Sequence, residues 1–257
     1  MKELVKKILP QSVLNTLKQI RGTLRSIEFG SIVNENNISI VKEGIKKFNA
    51  QAWYEYAFTD FKGRQHAYIP YKWICSHIKT NASILESACG IGGMLYFLNG
   101  KGYKHLYGYD LEEKSINAGK YITNAIKVNA NFMIGDGFNP EDALHELKFD
   151  VIIGISWIYI VQNYSIEIFF KKHIPFLKDN GYIIFDMVDK KYNYEKNNEY
   201  CTQDWNKSPN ERRESEYLLR YSKEEIEKIG KKNNLQLIKF IETKDYIHRN
   251  VFIMKKI

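Results

Sequence analysis

Short runs of apolar residues alternate with stretches of helical periodicity through the middle of the chain. The apolar runs occupy residues 83–87, 105–109, 131–135, 149–155 and 181–187, and the helical stretches lie at about 92–100, 112–128, 140–147 and 164–177. This alternation predicts parallel strands with helices on both faces of a sheet. The run FDVIIGI at 149–155 is almost entirely apolar, which is typical of a central strand covered on both sides.

The C-terminal part of the pattern predicts an antiparallel edge. Residues 188–220 are mostly polar with little periodicity and are interpreted as a surface insertion. A helix is predicted after Ser222, because Ser222 and Glu225 have the spacing of a capping box. Two apolar runs, LQLIKFIET and HRNVFIMKK, then predict a hairpin. The predicted fold is therefore α/β, with a Rossmann-like, seven-stranded, mostly parallel sheet, an antiparallel C-terminal edge hairpin and helices on both faces.

The N-terminal residues predict helical additions to a main domain of residues 51–257. Residues 1–50 are predicted to form an amphipathic helical extension, with a basic polar face over residues 1–30. Packing of this helix on the domain or on a partner subunit, as in a homodimer, is favoured over contact with an anionic membrane surface. Residues 51–74 are dense in aromatic side chains and predict either a lid or a hydrophobic cap with a wet edge.

Charge and cysteine usage narrow the class of protein. The 257 residues carry a formal net charge of +8, which favours nucleic acid, an acidic membrane surface or a phosphorylated small molecule as partner, although the lysines are scattered. Cys75, Cys89 and Cys201 form no CxxC pair and no zinc-ligand spacing, so we expect a reduced, cytoplasmic setting. The sequence predicts neither a transmembrane segment nor a secretory signal.

A glycine-rich turn, ILESACGIGG at residues 84–93, follows the first predicted strand. Such a turn lets a ligand approach the backbone and the free N–H groups of the next helix. A NAD-binding fingerprint would need a third glycine where Leu95 stands, and a phosphate-binding loop would need Gly-Lys-Ser/Thr. Neither pattern is present, and the turn alone is a weak signal.

Acidic residues at three predicted strand ends strengthen that signal. Asp110 ends the second strand, twenty residues after Gly90, where a carboxylate can accept both hydroxyls of a ribose. Asp136 follows the third strand beside Gly137, offering an acceptor for an exocyclic amine. Glu86, just before the glycine turn, suits an ammonium or sulfonium group and would repel a pyrophosphate.

Residues 83 to about 189 resemble the core of class I S-adenosylmethionine-dependent methyltransferases. Their first motif runs Glu/Asp-x-Gly-x-Gly-x-Gly after an apolar strand, and here it reads Glu86-Ser-Ala-Cys-Gly90-Ile-Gly92. Ala88 replaces the family's first glycine, which we expect to be tolerated if its φ angle is negative. LKDNGYIIFD at 177–186 resembles the Leu-Lys-Pro-Gly-Gly lead-in to a later strand.

The resemblance implies S-adenosylmethionine as cofactor and S-adenosylhomocysteine as product. An arginine about twenty residues before the first motif is common in related small-molecule enzymes, and Arg64 would then meet the methionine carboxylate; the alternative is a surface arginine. No metal site is predicted. The predicted cofactor-binding residues are Arg64, Glu86, Ala88, Gly90, Gly92, Asp110, Leu111, Asp136, Gly137 and Ser156.

The fourth predicted strand end, GISWIYI, constrains the methyl acceptor. It lacks the Asn/Asp-Pro-Pro-Tyr/Phe motif of adenine-amino methyltransferases and the clustered Asp residues of metal-assisted catechol-type enzymes. RNA cytosine-C5 methyltransferases need a nucleophilic cysteine at a later strand tip, but Cys201 lies in the insertion. An oxygen of a small molecule is therefore favoured over a nitrogen. His66 and Asp186 are the predicted catalytic residues, as general bases, whereas His173, late in a helix, is interpreted as structural.

The basic N-terminal helix, aromatic segment and polar insertion resemble those of bacterial O-methyltransferases of capsule and surface-glycan pathways. That resemblance implies a sugar, nucleotide-linked sugar or phosphorylated intermediate as acceptor. Basic residues of the insertion are predicted either to meet its phosphates or to form a solvated loop: Lys190, Lys191, Arg212, Arg213 and Arg220. Two alternatives stay open, an RNA methyltransferase, for which no RNA-binding appendage is recognised, and a non-catalytic scaffold subunit.

Overall fold

The computed structural model describes residues 32–191, 207–211, 218–243 and 249–257. The helix predicted for residues 1–30 and most of the predicted insertion lie outside them. The helices of the described part are α1 (Glu35–Phe48), α2 (Trp53–Thr59), α3 (Gln65–His77), α4 (Gly93–Asn99), α5 (Glu113–Ile126), α6 (Glu141–Leu144), α7 (Ile166–His173) and α8 (Lys223–Lys232). Short 3-10 turns lie at Phe61–Gly63, Ile158–Ile160, Ile174–Phe176 and Pro209–Glu211.

Seven strands form one sheet in the order β3-β2-β1-β4-β5-β7-β6. They are β1 (Ser83–Ser87), β2 (His105–Asp110), β3 (Ala130–Ile134), β4 (Phe149–Gly154), β5 (Leu177–Val188), β6 (Leu235–Ile241) and β7 (Arg249–Lys256). Strands β1 to β5 are parallel, and β7 is antiparallel to both of its neighbours. The predicted fold class is confirmed. Within the hairpin, the later strand β7 lies inside and β6 forms the edge.

The apolar runs form central strands because both of their faces are covered. Successive residues of β1, Ile84 and Leu85, are fully buried in two different hydrophobic cores, one on each side of the sheet. In β4, Val151 and Ile153 share the core of Ile84, while Ile152 joins that of Leu85. Side chains alternate between the faces of a strand, so a continuous apolar run supplies both cores.

Local sequence signals define several element ends. The predicted capping box is confirmed: Ser222 accepts from the backbone of Glu225, and Glu225 accepts from the backbone of Ser222. The predicted Asn180-Gly181 turn lies within β5, where Asn180 has a φ of 62°. There the pairing with β4 shifts register, so the turn is a bulge in a strand that starts earlier than predicted.

The aromatic segment at residues 51–74 forms α2, a 3-10 turn and most of α3, packed beside α4. Phe61 stacks on Phe97 of α4 with ring centroids 4.0 Å apart, and Phe58 lies 5.5 Å from the same ring. Both phenylalanines are buried, whereas Trp53 and Tyr56 of α2 are exposed. The segment therefore has a buried apolar face and an exposed aromatic edge, and the lid stays a prediction.

None of the helices in the described residues combines the length and the apolar composition that crossing a membrane requires.

Candidate functional site

A cavity of about 880 Å³ lies at the carboxyl ends of the parallel strands, beneath α2 and α3. In doubly wound sheets, ligands bind outside the carboxyl ends where the strand order reverses. Here β2 and β3 lie on one side of β1, and β4 and β5 lie on the other. The strand order therefore reverses at β1, and the cavity lies at this point. Six of the predicted cofactor-binding residues line it: Arg64, Glu86, Ala88, Gly90, Asp110 and Ser156.

The glycine turn brings the chain from β1 into α4 through left-handed residues. Ala88, Gly90 and Gly92 have φ angles of 49°, 55° and 80°. The condition under which we expect Ala88 to be tolerated, a negative φ angle, is therefore not met. The chain must reverse over few residues, and the Cys89 N–H donates to the Tyr109 carbonyl at 3.0 Å, which holds the turn against β2 although the conformation is unfavourable for alanine.

Asp110, the last residue of β2, is held by the same turn. One carboxylate oxygen accepts from the Gly90 N–H and the other from the Glu112 N–H, both at 2.8 Å. Burial raises the pKa of Asp110, and these backbone donors oppose the rise. Each carboxylate oxygen has a second lone pair, so Asp110 can still accept hydrogen bonds from a ligand in the cavity.

Glu86 lies at the end of β1 with only 9% of its surface exposed. Its Oε2 is buried with no hydrogen-bond partner in the described residues. Burial raises the pKa of Glu86 to about 8, and the charge of Arg64 acts in the opposite direction. A buried carboxylate oxygen without a partner is unfavourable, so the cavity presents an unsatisfied acceptor that suits a cationic donor.

Arg64 precedes α3 and crosses the cavity wall to β4. Its Nη2 lies 3.3 Å from Nε2 of His66 and donates to the Ser156 hydroxyl at 3.4 Å. Its guanidinium lies 5.4 Å from the ring centre of Trp53. Burial lowers the pKa of Arg64, and the charge of Arg249 lowers it further. Arg64 is thus a fixed cation of the wall, not the surface residue of the alternative interpretation.

The two predicted bases do not line the cavity. His66 is fully buried, and because arginine only donates, its Nε2 accepts from Arg64. Asp186 is also fully buried; it accepts from the Ser156 N–H at 2.7 Å and from the Tyr159 hydroxyl at 3.1 Å. Burial raises the pKa of Asp186 to about 6, against the charges of Arg249 and Arg64.

The other predicted cofactor residues lie beside the cavity rather than in its wall. Leu111 is 69% exposed, and Gly92 caps α4. Asp136 accepts from the Phe138 N–H at 2.9 Å. Gly137 packs so closely on the Trp157 ring that a Cβ atom would lie 2.7 Å from it, and Trp157 itself lines the cavity.

The predicted phosphate-binding residues of the insertion are not brought into the cavity wall. Lys190 and Lys191 are exposed, and Lys190 pairs with Glu225 at 2.6 Å. Arg220 is half-buried and is not among the lining residues, while Cys201, Arg212 and Arg213 lie outside the described residues. Over the described ranges, no three His, Cys, Asp or Glu side chains group as metal ligands would.

Sequence reasoning missed several residues of the wall: Tyr54, Glu112, Trp157, Tyr159 and Arg249. Trp157 and Tyr159 follow β4 and could have been included on the rule that parallel strand ends share one edge of the sheet. Arg249 begins β7 and pairs with Val188 at the end of β5. Only the antiparallel pairing brings it to this edge, and no local signal carries that information.

Comparisons with known proteins agree with this fold. The family model described as "Methyltransferase domain" matches residues 58–239. A Pyrococcus horikoshii protein is 18% identical with a TM-score of 0.61, over 78% of this chain and 95% of its own. Magnesium protoporphyrin IX methyltransferase from Synechocystis, with bound SAH, is 12% identical with a TM-score of 0.60, over 88% and 99%.

A Methanosarcina mazei structure named as a SAM-dependent methyltransferase is 16% identical with a TM-score of 0.58, over 72% of this chain and 97% of its own. These likenesses concern the fold. A search of curated proteins found no match.

Proposed function

Because the chain belongs to the methyltransferase-domain family, we propose that it transfers a methyl group from S-adenosylmethionine to an oxygen of a small anionic acceptor. The observation that supports the donor best is the buried, unpartnered Oε2 of Glu86 beside the glycine turn. An ammonium group beside Glu86 favours its ionised form and satisfies this acceptor, whereas a pyrophosphate would oppose that ionisation.

The residues present fit the donor. Glu86 would hold the methionine ammonium, Arg64 the methionine carboxylate and Asp110 the ribose hydroxyls. Gly93, at the start of α4, lines the cavity, and a Cβ atom placed there would meet nothing within 4 Å, so the wall leaves open space beside the turn. When bound, the donor supplies an electrophilic methyl group on a positively charged sulfur.

The hydrogen bonds of the cavity wall support a route by which the acceptor's proton leaves the cavity. Tyr159 lines the wall and donates to Asp186. A hydroxyl of the acceptor can donate to the Tyr159 oxygen while the Tyr159 proton passes to Asp186. In this proposal Tyr159 is the catalytic residue and Asp186, with a pKa of about 6, receives the proton behind it. His66 orients Arg64.

The anionic acceptor is supported by the cation Arg249 in the cavity wall, since Arg64 is assigned to the donor. The proposal that this acceptor is a sugar or nucleotide-linked sugar of surface-polysaccharide synthesis rests on the resemblance of the N-terminal region and the insertion. Both regions lie largely outside the described residues. Cytoplasmic location and a homodimer likewise stay expectations from the sequence. RNA methylation and a scaffold role are the alternatives to be tested.

Calorimetric titration with S-adenosylhomocysteine tests the donor site, with NADH as the ligand control. We expect micromolar binding that is lost in Asp110→Ala and retained in Asp142→Ala, since Asp142 is an exposed aspartate of α6. Absence of binding to the wild type would contradict the methyltransferase proposal and favour a scaffold. Filter binding to total RNA at rising salt tests the alternative that the protein is an RNA methyltransferase. That alternative predicts saturable binding of RNA.

A further inference from the structure

The cavity has two ends that lie over different strands. Glu86 and Asp110, the residues that suit the donor, lie at the ends of β1 and β2, whereas Asp186 and Arg249 lie on β5 and β7. Strand β7 is three positions from β1 in the sheet, a distance of about 14 Å at the usual spacing. The end over β5 and β7 is therefore left for the acceptor once the proposed donor is in place.

Arg249 is the cation of this second end. It lines the cavity and pairs across the ladder with Val188, so its side chain starts from the carboxyl edge of β5. Its charge acts on both Asp186 and Arg64, lowering the pKa of each. Arg249 therefore places a positive charge in the wall of the cavity, at the end over β5 and β7.

The mouth of the same cavity is apolar. Four large side chains that line the cavity are between 44% and 58% exposed: Trp53, Tyr56, Ile160 and Leu218. Leu218 is fixed there because its N–H and that of Leu219 both donate to the Tyr159 carbonyl, at 2.7 and 3.1 Å. Exposed apolar side chains are normally scattered singly, and a group of them around one opening indicates a binding surface.

We propose that the acceptor is an amphipathic anion, whose anionic group binds Arg249 and whose apolar body packs on Trp53, Tyr56, Ile160 and Leu218. This rests on the proposed methyltransferase function and narrows its acceptor class. A sugar phosphate would satisfy Arg249 equally well, but its hydroxyls would lose water against an apolar mouth that offers them few partners. The apolar body therefore separates this class from the glycan intermediates that the sequence favours.

Three probes test the class by calorimetry on protein saturated with S-adenosylhomocysteine. They are 2-naphthoate, its neutral amide 2-naphthamide, and glucose 1-phosphate. We expect 2-naphthoate to bind at least about tenfold more tightly than the amide, because the charged contact is lost, and more tightly than glucose 1-phosphate. Tighter binding of glucose 1-phosphate would overturn the proposal.

Matched variants locate the binding. Arg249→Gln should weaken 2-naphthoate about tenfold or more and leave the amide unchanged, while Lys190→Gln, an exposed cation outside the cavity, should change neither. Ile160→Ser should weaken both aromatic probes, and Ile238→Ser, equally exposed on β6, should not. Unchanged 2-naphthoate binding in Arg249→Gln or Ile160→Ser would overturn the proposed subsite.

The same titrations separate the two proposals. If the wild type fails to bind S-adenosylhomocysteine, the proposed function and the acceptor class both fall. If it binds S-adenosylhomocysteine but not 2-naphthoate, only the acceptor class falls. If Arg249→Gln abolishes S-adenosylhomocysteine binding, Arg249 serves the donor and the division of the cavity is wrong.

Discussion

The hydroxyl of Tyr159 donates to Asp186 Oδ2 at 3.1 Å, while the other carboxylate oxygen accepts from the Ser156 N–H. Asp186 is fully buried, whereas its partners Ser156 and Tyr159 line the cavity. A ligand in the cavity would therefore contact these partners and not Asp186 itself. In the proposed mechanism, Asp186, predicted as a base, therefore acts through the Tyr159 hydroxyl.

Tyr159→Phe should destabilise the protein by about 1–3 kcal/mol above pH 6, because a buried carboxylate oxygen loses its donor. The Asp186 pKa of about 6 lies above its ordinary value, so below pH 6 the folded protein holds the protonated form and the loss should be smaller. Urea unfolding at pH 5 and pH 8 measures this difference.

Tyr164→Phe is the control, since the Tyr164 hydroxyl donates to the neutral Gly137 carbonyl at 2.8 Å. Its effect should be about 1 kcal/mol at both pH values. An equal pH dependence in the two variants would contradict the role given to Asp186.

Binding of S-adenosylhomocysteine at pH 7 should release close to one proton. Burial raises the pKa of Glu86 to about 8, so the side chain is mostly protonated in the free protein, and an ammonium placed beside it favours ionisation. Calorimetry in phosphate and in Tris buffer measures the proton count from the difference in binding enthalpy. Glu86→Gln should abolish the release and Glu113→Gln, an exposed control, should retain it. Identical enthalpies for the wild type in both buffers would exclude the linkage.

Ala88→Gly should raise the free energy of unfolding by up to about 1 kcal/mol, because glycine relieves the left-handed strain and the gain exceeds its larger backbone entropy loss. Ala118→Gly has the opposite expectation, a loss of about 0.5–1 kcal/mol or more, since Ala118 is buried within α5. Thermal unfolding of both variants checks the signs. Destabilisation by Ala88→Gly would mean that the methyl group contributes packing that outweighs the strain.

His173 should make the protein less stable in acid. Burial lowers the pKa of His173 to about 4. Between about pH 6.5 and pH 4, the imidazole therefore binds a proton in the unfolded chain but stays neutral in the folded chain. Stability is therefore lost as pH falls through this range, by at most about 1.4 kcal/mol per pH unit. His173→Gln should flatten this slope in urea titrations, and His105→Gln, at an exposed position, should leave it unchanged. A wild-type slope in His173→Gln would assign the acid loss to another group.

The tautomer of His173 agrees with the structural role that the sequence favours. Its Nδ1 donates to the Phe169 carbonyl at 2.8 Å, so Nε2 accepts from the Tyr109 hydroxyl at 2.6 Å. Both ring nitrogens are satisfied in the neutral form, which makes the histidine part of the core.

The sequence was most informative where one segment determines its own environment. The run around Ile152 is apolar throughout, and such a run has few alternatives to a central strand. The Ser222 cap is confirmed for the same reason, because both partners lie within one turn of helix. Asp110 and Glu86 reach the cavity because they end strands, and the ends of neighbouring parallel strands share an edge.

Prediction was poorest where a side chain depends on distant partners. The φ angle of Ala88 is set by a turn tied to β2, and a sequence motif does not reveal that tie. His66 and Asp186 have the chemistry of bases, but their partners Arg64 and Tyr159 decide how much of each group is available. Arg249 was missed because its position depends on which strand of the hairpin lies beside β5.

The place of β7 inside the sheet also bears on the order in which the chain folds. The turn and the carboxylates that suit the donor come from residues 83–110, whereas β7 meets β5 only after residue 188 is brought to residue 249. Closing so long an interval costs entropy and slows pairing. We therefore expect β1, β2 and the turn between β1 and α4 to form before β7 joins β5 and brings Arg249 to the cavity wall.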